Sequence, residues 1–293
     1  MTAPPKSDLV AVTGASGFIA LHCIRQLLEH GFAVRGTLRD LSKERQVREW
    51  LAPLPDGAEL SFVEADLTHD EGWPDVVSGV RYLMHVASPV PKAPPKDEED
   101  IIEPAREGTL RALRAATVAG VRRVVLTSSA AAVMSGYDWT DERVFDEDDW
   151  SDLSGGMGAY ERSKTLAERA AWDFVAQLAP EEAFELVCLN PVYVLGPSLS
   201  GIENASNEIV GKLLRRDMPG VPRLHFGLVD VRDVAAAHVS ALTSEQAAGE
   251  RFLLSAEPMW MKEIASTLDE AGYRVPMTQL GFPFLRRLHA ADG

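Results

Sequence analysis

The sequence contains few of the features that mark a secreted or membrane protein. Only two of its 293 residues are cysteines, Cys23 and Cys188. Both lie in apolar runs, where a thiol acts as a small hydrophobic group, so we expect no disulfide framework and a cytoplasmic, reducing location. The opening residues MTAPPKSD lack the apolar segment of a signal peptide. No segment reaches the roughly 18 uninterrupted apolar residues of a membrane helix, so no membrane partner is expected.

Basic residues are also scarce. Lys and Arg number 29 against 44 Asp and Glu, which gives a formal net charge of −15. A surface that follows the phosphates of a nucleic acid needs the opposite balance, so no nucleic-acid partner is expected. The hydrophobic content of 46% is enough for a substantial core, in one large domain or in a domain with a smaller lobe.

From Leu9 onward, short apolar runs alternate with segments of helical period. This alternation is typical of a parallel sheet covered by helices, and it predicts an α/β chain with a doubly wound, Rossmann-type sheet and a smaller C-terminal substrate lobe. The predicted dinucleotide-binding domain spans residues 1–195 and also receives residues 226–243. The predicted substrate lobe consists of residues 196–225 and 244–293.

The first strand is followed by a glycine-bearing turn, TGASGFIA, that opens the first helix. Gly14 permits a tight turn, Gly17 lets backbone approach a phosphate, and the small Ala20 allows close packing of the helix on the strand. The helix N-terminus adds amides and a partial positive charge, which suit a dinucleotide pyrophosphate. The cofactor-binding candidates of this turn are Gly14, Ser16, Gly17, Phe18 and Ile19.

The end of the second strand indicates which cofactor is bound. A carboxylate there would hold the ribose hydroxyls of NAD, whereas a basic residue accommodates the 2′-phosphate of NADP. Arg39 ends the strand and Lys43 follows, so NADP(H) is favoured, although Asp40 keeps NAD(H) as an alternative. Asp66, after the third strand, is a candidate acceptor for the adenine amino group or else a helix cap.

Two further segments carry candidate catalytic groups. In GAYERSK, Tyr160 and Lys164 are four residues apart, so on a helix they share one face and place a proton donor beside a positive charge. The run LTSSA ends the fifth strand with Ser128 and Ser129. The carboxyl ends of parallel strands border the ligand site of a doubly wound fold, so these serines are expected near the cofactor.

Together TGASGFIA, Arg39, Asp66, TSSA and YERSK resemble the extended short-chain dehydrogenase/reductase family, and the resemblance runs over nearly the whole chain. Within it, LTSSAAAV and YERSKTLAERAAW most resemble the branch of dihydroflavonol reductases, cinnamoyl-CoA reductases and microbial aldehyde or methylglyoxal reductases. This resemblance implies an NADPH-dependent carbonyl reductase, in which an aldehyde or ketone accepts a hydride and becomes an alcohol.

The resemblance also implies roles for individual residues. Ser129 would hydrogen-bond the substrate carbonyl, Tyr160 would donate the proton, and Lys164 would bind the nicotinamide ribose and support the phenol by its charge. Further implied cofactor contacts are Leu67, Val86, Ala87, Ser88, Pro191 and Val192. The implied substrate contacts are Ser88, Ser129, Met134 and Tyr160.

This sequence departs from the family pattern in places. Glu107 stands where a helix-four Asn is expected, and Met134 stands where plant dihydroflavonol reductases carry a polar Asn. An apolar, adaptable Met favours smaller or broader aldehydes and ketones over a flavonoid. Members of the branch also usually continue for some tens of residues beyond the point where this chain stops, so we expect a shortened or truncated substrate lobe.

Two other functions fit the same pattern. A nucleotide-sugar epimerase or dehydratase would keep its cofactor through turnover, and a non-catalytic NADP-binding redox sensor would use the fold without chemistry. We expect no metal, because His225 and His238 lack metal-ligand spacing with Cys or carboxylates. The resemblance also suggests a homodimer that pairs through the helix of Tyr160 and the helix before it.

Overall fold

The computed structural model describes residues 8–89, 97–138, 142–202 and 206–280. The helices of these ranges are α1 (Phe18–Glu29), α2 (Glu44–Leu51), α3 (Trp73–Val77), α4 (Glu99–Val118), α5 (Ala131–Met134), α6 (Ala159–Ala176), α7 (Glu208–Arg215), α8 (Val231–Thr243) and α9 (Met261–Glu270). Short 3₁₀ helices span Leu41–Lys43 and Glu245–Ala247. Of the described helices, none has the length and apolar composition needed to cross a membrane.

The strands of the same ranges are β1 (Leu9–Val12), β2 (Ala33–Leu38), β3 (Leu60–Glu64), β4 (Tyr82–His85), β5 (Arg123–Thr127), β6 (Glu185–Pro191), β7 (Tyr193–Leu195), β8 (Val221–Pro222), β9 (His225–Phe226), β10 (Leu228–Asp230), β11 (Arg251–Leu254), β12 (Met259–Trp260) and β13 (Gln279–Leu280). The chain forms two compact units.

The larger unit contains the described residues up to Pro191 together with Arg232–Leu254. Its sheet has seven strands in the order β11-β6-β5-β4-β1-β2-β3, and every neighbouring pair is parallel. The chain runs outward from β1 to β3 and then returns to the other side of β1 with β4. This reversal between β1 and β4 defines the ligand crevice of a doubly wound fold, so the predicted fold class is confirmed.

The central strands of this sheet are buried along their whole length. Every residue of β4 and β5 is buried, as expected for strands that helices cover on both faces. One core cluster joins the sheet to α3, α4 and α6 through Trp73, Leu113 and Ala171. The C-terminal half of α6 therefore packs on the sheet together with α4.

The smaller unit contains Val192–Val231 and the described residues from Ser255 onward. It has three two-stranded sheets, in which β7 pairs with β10 and β8 with β13 in parallel, while β9 and β12 are antiparallel. Its own core includes Leu213, Val221, Met261 and Ile264. These short pairs explain why the sequence pattern loosens beyond Gly196.

The unit boundaries differ from the predicted ones. The apolar run after residue 184 is two strands: β6 ends in the large sheet at Pro191, and β7 pairs with β10 in the smaller unit. Residues 226–231 also lie in the smaller unit. Arg251–Leu254 pairs with β6 as the edge of the large sheet, not with the lobe. Apolar alternation identifies a strand but does not indicate which sheet a short strand joins.

Candidate active site

The turn between β1 and α1 has room only for glycine at its first position. Gly14 has a φ of 69°, in the left-handed region, and a Cβ there would lie 2.9 Å from Cβ of Ala87. The Gly14 amide donates to Thr37 Oγ1 at 2.9 Å, which ties the turn to β2. The backbone is therefore held close to the neighbouring strand end, as a phosphate-binding turn requires.

The N-terminus of α1 is open to an anion. Gly17 is the N-cap residue, and among the described residues no side chain caps the helix and no carboxylate lies in its first turn. Ser16 and Gly17 are exposed, and Phe18 and Ile19 are half-buried. The first amides of the helix and its dipole are therefore available to a negatively charged group.

A buried threonine fixes the segment opposite this turn. Thr13 Oγ1 accepts hydrogen bonds from the amides of Val86 at 3.0 Å and Ala87 at 2.9 Å. It also lies 3.0 Å from His85 Nδ1. Burial and then the charge of Lys164 lower the pKa of His85 to about 3, so its ring is neutral and Nδ1 can accept the threonine proton. His85 is thus a structural residue of the strand end, and Thr13 is a contributor that the sequence motifs did not reveal.

A cavity of about 540 Å³ lies at the carboxyl ends of β2 and β3, and Arg39, Asp66 and His69 line it. Asp66 Oδ1 accepts from the Thr68 amide at 2.8 Å and from its hydroxyl at 2.7 Å, so this carboxylate closes a local turn. Partial burial opposes ionisation, but the Thr68 hydrogen bonds and then the Arg39 charge hold the pKa of Asp66 below its usual value. Asp66 is therefore a charged acceptor at this cavity.

Three residues bear on the choice between NAD(H) and NADP(H), and they differ in their local contacts: Arg39, Asp40 and Lys43. Asp40 Oδ1 accepts from the Ser42 amide at 2.9 Å and so caps the 3₁₀ helix that follows. Arg39 and Lys43 are both exposed. The Asp40 carboxylate thus accepts a hydrogen bond within the turn, whereas Arg39 lines the cavity and Lys43 is exposed.

Ser129 is the second residue after β5, where main-chain hydrogen bonds hold the backbone. The Ser128 amide donates to the Leu189 carbonyl at 2.8 Å, and the Ala130 amide donates to that of Pro191 at 3.0 Å. Ser129 Oγ accepts from the Ala131 amide at 3.1 Å, which leaves its own proton to donate. A substrate oxygen is a suitable acceptor for that proton.

Helix α6 carries the other two catalytic candidates. Tyr160 lies in the first turn and is 42% exposed, while Lys164, one turn later, is only 9% exposed. Lys164 lines a cavity of about 10 Å³ together with Ala87, Ser88 and Ser128. That volume is close to what one water molecule requires. The structure therefore brings Lys164 together with the ends of β4 and β5.

The remaining predicted contact residues belong to several different elements. Leu67 packs on α4, where a Cβ on Gly108 would lie 3.0 Å from Cβ of Leu67. Met134 ends α5 with its side chain 43% exposed. Pro191 is the buried last residue of β6, and Val192 belongs to the smaller unit, where it packs on Gly227.

Glu107, the departure from the expected Asn, is half-buried and pairs with Arg106 and Arg114. Its carboxylate is therefore held by two arginines of the same helix. Within the part of the chain that the structure describes, no group of three or more His, Cys, Asp or Glu side chains is arranged to hold a metal ion.

A polar cluster that no sequence motif predicts lies buried beside Lys164. It is formed by the side chains of Glu168, Ser128, Asn190 and Arg251. Glu168 follows Lys164 by four residues, the same spacing that pointed to Tyr160 and Lys164, so part of the signal was present. Arg251 is 83 residues further along the chain, and no local pattern links it to the helix.

The fold and the glycine turn define a nucleotide-binding protein of the doubly wound α/β class. Residues 10–254 match the NAD dependent epimerase/dehydratase family. The chain belongs to this family, and the predicted resemblance to extended short-chain dehydrogenases/reductases is confirmed.

Similar proteins include several reductases. Cinnamoyl-CoA reductase 1 of Arabidopsis thaliana is 39% identical over 272 residues, which cover 91% of this chain and 75% of the relative. An anthocyanidin reductase of Vitis vinifera is 35% identical over 303 residues, covering 97% of this chain and 88% of the relative. The crystal structure of yeast methylglyoxal/isovaleraldehyde reductase Gre2 complexed with NADPH superimposes with a TM-score of 0.83 at 31% identity, covering 94% of this chain and 86% of that chain.

Proposed function

We propose that this protein is an NADPH-dependent carbonyl reductase that converts an aldehyde or ketone into the alcohol. The observation that carries the proposal is the arrangement around Lys164. This buried ammonium lies one turn after an exposed Tyr160 and shares a cavity with Ser88 and Ser128, next to Ser129. The reductase names of several relatives support the same class of reaction.

The residues present fit a bound NADPH. A side chain at Gly14 would overlap Ala87, so the turn is shaped for backbone contact with a pyrophosphate at the open N-terminus of α1. Arg39 and Lys43 are exposed cations that would suit a 2′-phosphate, and Asp66, which lines the same cavity as Arg39, would accept from the adenine amino group. When bound, NADPH supplies the hydride that the carbonyl carbon accepts.

The chain's own groups complete the reduction. The Ser129 hydroxyl donates to the carbonyl oxygen and polarises the carbonyl group. Tyr160 gives its phenol proton to that oxygen, so the carbonyl gains a hydride at carbon and a proton at oxygen. The Lys164 ammonium stabilises the resulting phenolate and holds the nicotinamide ribose, and the phenol then regains a proton from solvent. The reaction is reversible, so the same groups serve alcohol oxidation.

The substrate class that we propose is a small or broadly varied carbonyl compound. Met134 presents an exposed, flexible apolar side chain at the end of α5. Such a side chain adapts to different apolar groups, whereas it offers a flavonoid hydroxyl only a weak sulfur acceptor. The homodimer and the cytoplasmic location remain expectations from the sequence.

The test is consumption of NADPH, followed by absorbance, with a panel of substrates. The panel contains an aliphatic aldehyde, an aromatic aldehyde, methylglyoxal, a β-ketoester, a dihydroflavonol and a UDP-sugar, each repeated with NADH. We expect turnover of simple carbonyls with NADPH preferred over NADH. Conversion of the UDP-sugar with tightly retained cofactor would support an epimerase or dehydratase instead. Cofactor binding without any turnover would support a redox sensor.

A further inference from the structure

One carboxylate in α6, that of Glu168, is buried and uses both of its oxygens. Its Oε2 accepts from the Ser128 hydroxyl and, at 2.7 Å, from Asn190 Nδ2. Its Oε1 accepts from Arg251 Nε at 2.7 Å and from Trp172 Nε1 at 3.4 Å. One oxygen therefore faces the end of β5, and the other faces an ion pair.

Glu168 Oε2, the oxygen that faces β5, is linked to both Ser128 and Ser129 at the end of that strand. Ser128 is bonded directly through its side chain. Asn190 Nδ2, which donates to Glu168, also donates to the main-chain carbonyl of Ser129 at 3.1 Å. The Ser128 side chain is thus tied directly, and the Ser129 main-chain carbonyl through Asn190, to a single residue of α6.

The oxygen that faces the ion pair is tied to β11 and to the loop before α6. Arg251 donates through Nη1 to the carbonyls of Glu147 at 2.7 Å and Asp149 at 2.6 Å. Its guanidinium lies 3.9 Å from the ring centroid of Trp150. Arg251 thereby balances the buried charge and anchors the loop at the same time. A buried pair of this kind gives little net stability, because removing both charges from water costs about as much as their attraction returns.

We propose that Glu168 is a positioning residue of the reduction, which sets the distance between Ser129 and the pair Tyr160 and Lys164. Glu168 lies one helical turn after Lys164 and two turns after Tyr160 on the same face of α6. Because the helix is rigid, the bond from Glu168 to Ser128 fixes the serine-bearing strand end relative to the tyrosine-bearing helix. This inference rests on the proposed function, since it names a further residue for the same reaction.

Ser128→Ala tests the proposal with the smallest change. It removes the direct bond between Glu168 and the strand end, but keeps the link through Asn190 and the ion pair with Arg251. A small misplacement of reacting groups costs up to about 100-fold in rate, so we expect kcat on a simple aldehyde to fall by about 10-fold or more. KM and the Kd for NADPH should change by less than about twofold, because neither ligand loses a contact.

The matched control is Trp172→Phe. This change removes another hydrogen bond to the same carboxylate, but from within α6 and on the side away from β5. We expect kcat to stay within about twofold of the wild-type value. Amide hydrogen exchange gives a readout that does not depend on activity. Exchange over residues 128–132 should become faster in Ser128→Ala and stay unchanged in Trp172→Phe.

The possible outcomes distinguish a failure of the positioning role of Glu168 from a failure of the proposed reductase function. If Ser128→Ala keeps full kcat and unchanged exchange, or if both variants lose kcat equally, Glu168 has no positioning role. If the wild-type protein reduces none of the carbonyls while exchange still responds to Ser128→Ala, the proposed function is wrong and Glu168 only orders the strand end. Glu168→Gln is a second variant, in which kcat should fall at least as far as in Ser128→Ala.

Discussion

At the scale of single residues, the choice of cofactor depends on two neighbours, Arg39 and Asp40. The sequence left NAD(H) open because Asp40 stands beside Arg39. In the structure the Asp40 carboxylate caps a turn through Ser42, whereas the Arg39 side chain is exposed at the cavity that Asp66 also lines. A phosphate is therefore the better match for this surface than a pair of ribose hydroxyls.

Replacing Arg39 with Ala tests this preference. A hydrogen bond between charged groups contributes about 1.5 to 3 kcal/mol, so kcat/KM for NADPH should fall about 10- to 100-fold while kcat/KM for NADH stays nearly the same. The matched control is Arg45→Ala, because that exposed arginine pairs with Glu49 on α2. Steady-state kinetics with both cofactors give the ratio. An unchanged ratio in Arg39→Ala would show that this residue does not select the cofactor.

Some residues of the candidate site can be predicted from local sequence spacing, whereas others come together only through the alignment of distant strands. Tyr160 and Lys164 lie on one helix, so their spacing alone indicates a shared face, and the structure places them in successive turns of α6. The cluster around Glu168 needs Asn190 from β6 and Arg251 from β11. Such pairs form only when distant strands align in the sheet, and a local pattern holds no information on that alignment.

At the scale of elements, the turn from β1 to α1 sets how closely a ligand can approach the backbone. Its first glycine is constrained twice, by a φ of 69° and by the 2.9 Å that would separate a new Cβ from that of Ala87. Gly31, after α1, has a φ of 81° but would place a Cβ in open space. Alanine at either position carries the energetic cost of the left-handed backbone conformation, but only alanine at Gly14 also carries the cost of a steric clash.

Gly14→Ala and Gly31→Ala should therefore behave differently. The left-handed conformation costs a non-glycine residue about 1 kcal/mol, and Gly31→Ala should lower the free energy of unfolding by about that amount. Gly14→Ala adds an overpacked contact and should lower it by roughly 2 to 4 kcal/mol. Only Gly14→Ala should also weaken NADPH binding, measured by fluorescence titration. Equal effects on stability and binding would contradict the assigned role of the turn.

The order of elements was largely predictable, whereas the sheet that each strand joins was not. The alternation of strands and helices up to β6 follows from apolar runs and helical period, because each pattern is local. The sequence pattern does not predict that the apolar run divides into β6 and β7 after Pro191, or that Arg251–Leu254 joins the large sheet as β11. Short strands of two to four residues carry too few side chains to show which sheet they complete.

At the scale of the whole molecule, two buried histidines link stability to pH. His238 donates from Nδ1 to the Val234 carbonyl at 2.7 Å, and its Nε2 lies 2.6 Å from the Thr127 hydroxyl. Burial lowers the pKa of His238 to about 4, although the Val234 hydrogen bond acts against that shift. For His85, burial and the Lys164 charge lower the pKa to about 3. Both rings are neutral in the folded protein at pH 7.

The folded protein should therefore lose stability in mild acid. Below a pH of about 6.5 each of these histidines takes up a proton in the unfolded chain but not in the folded one. The free energy of unfolding should fall by about 1.4 kcal/mol per pH unit for each histidine as the pH drops from 6 toward 4.5. In His238→Gln the change in the free energy of unfolding per pH unit should be smaller by the contribution of one histidine. Urea denaturation across that range measures it, and a slope equal to that of the wild-type protein would contradict the assignment.

If Tyr160 donates the proton in an NADPH-dependent reduction, Tyr160→Phe should lose the reduction and still bind the cofactor. The variant removes one hydroxyl, so the Kd for NADPH should change by less than about twofold while kcat for carbonyl reduction falls by at least about 100-fold. Tyr82→Phe is the control, because Tyr82 is the first residue of β4, at the opposite end of the strand from the carboxyl end that borders the candidate site. Wild-type rates are expected in that control. Carbonyl reduction at the wild-type rate by Tyr160→Phe would show that Tyr160 is not the proton donor.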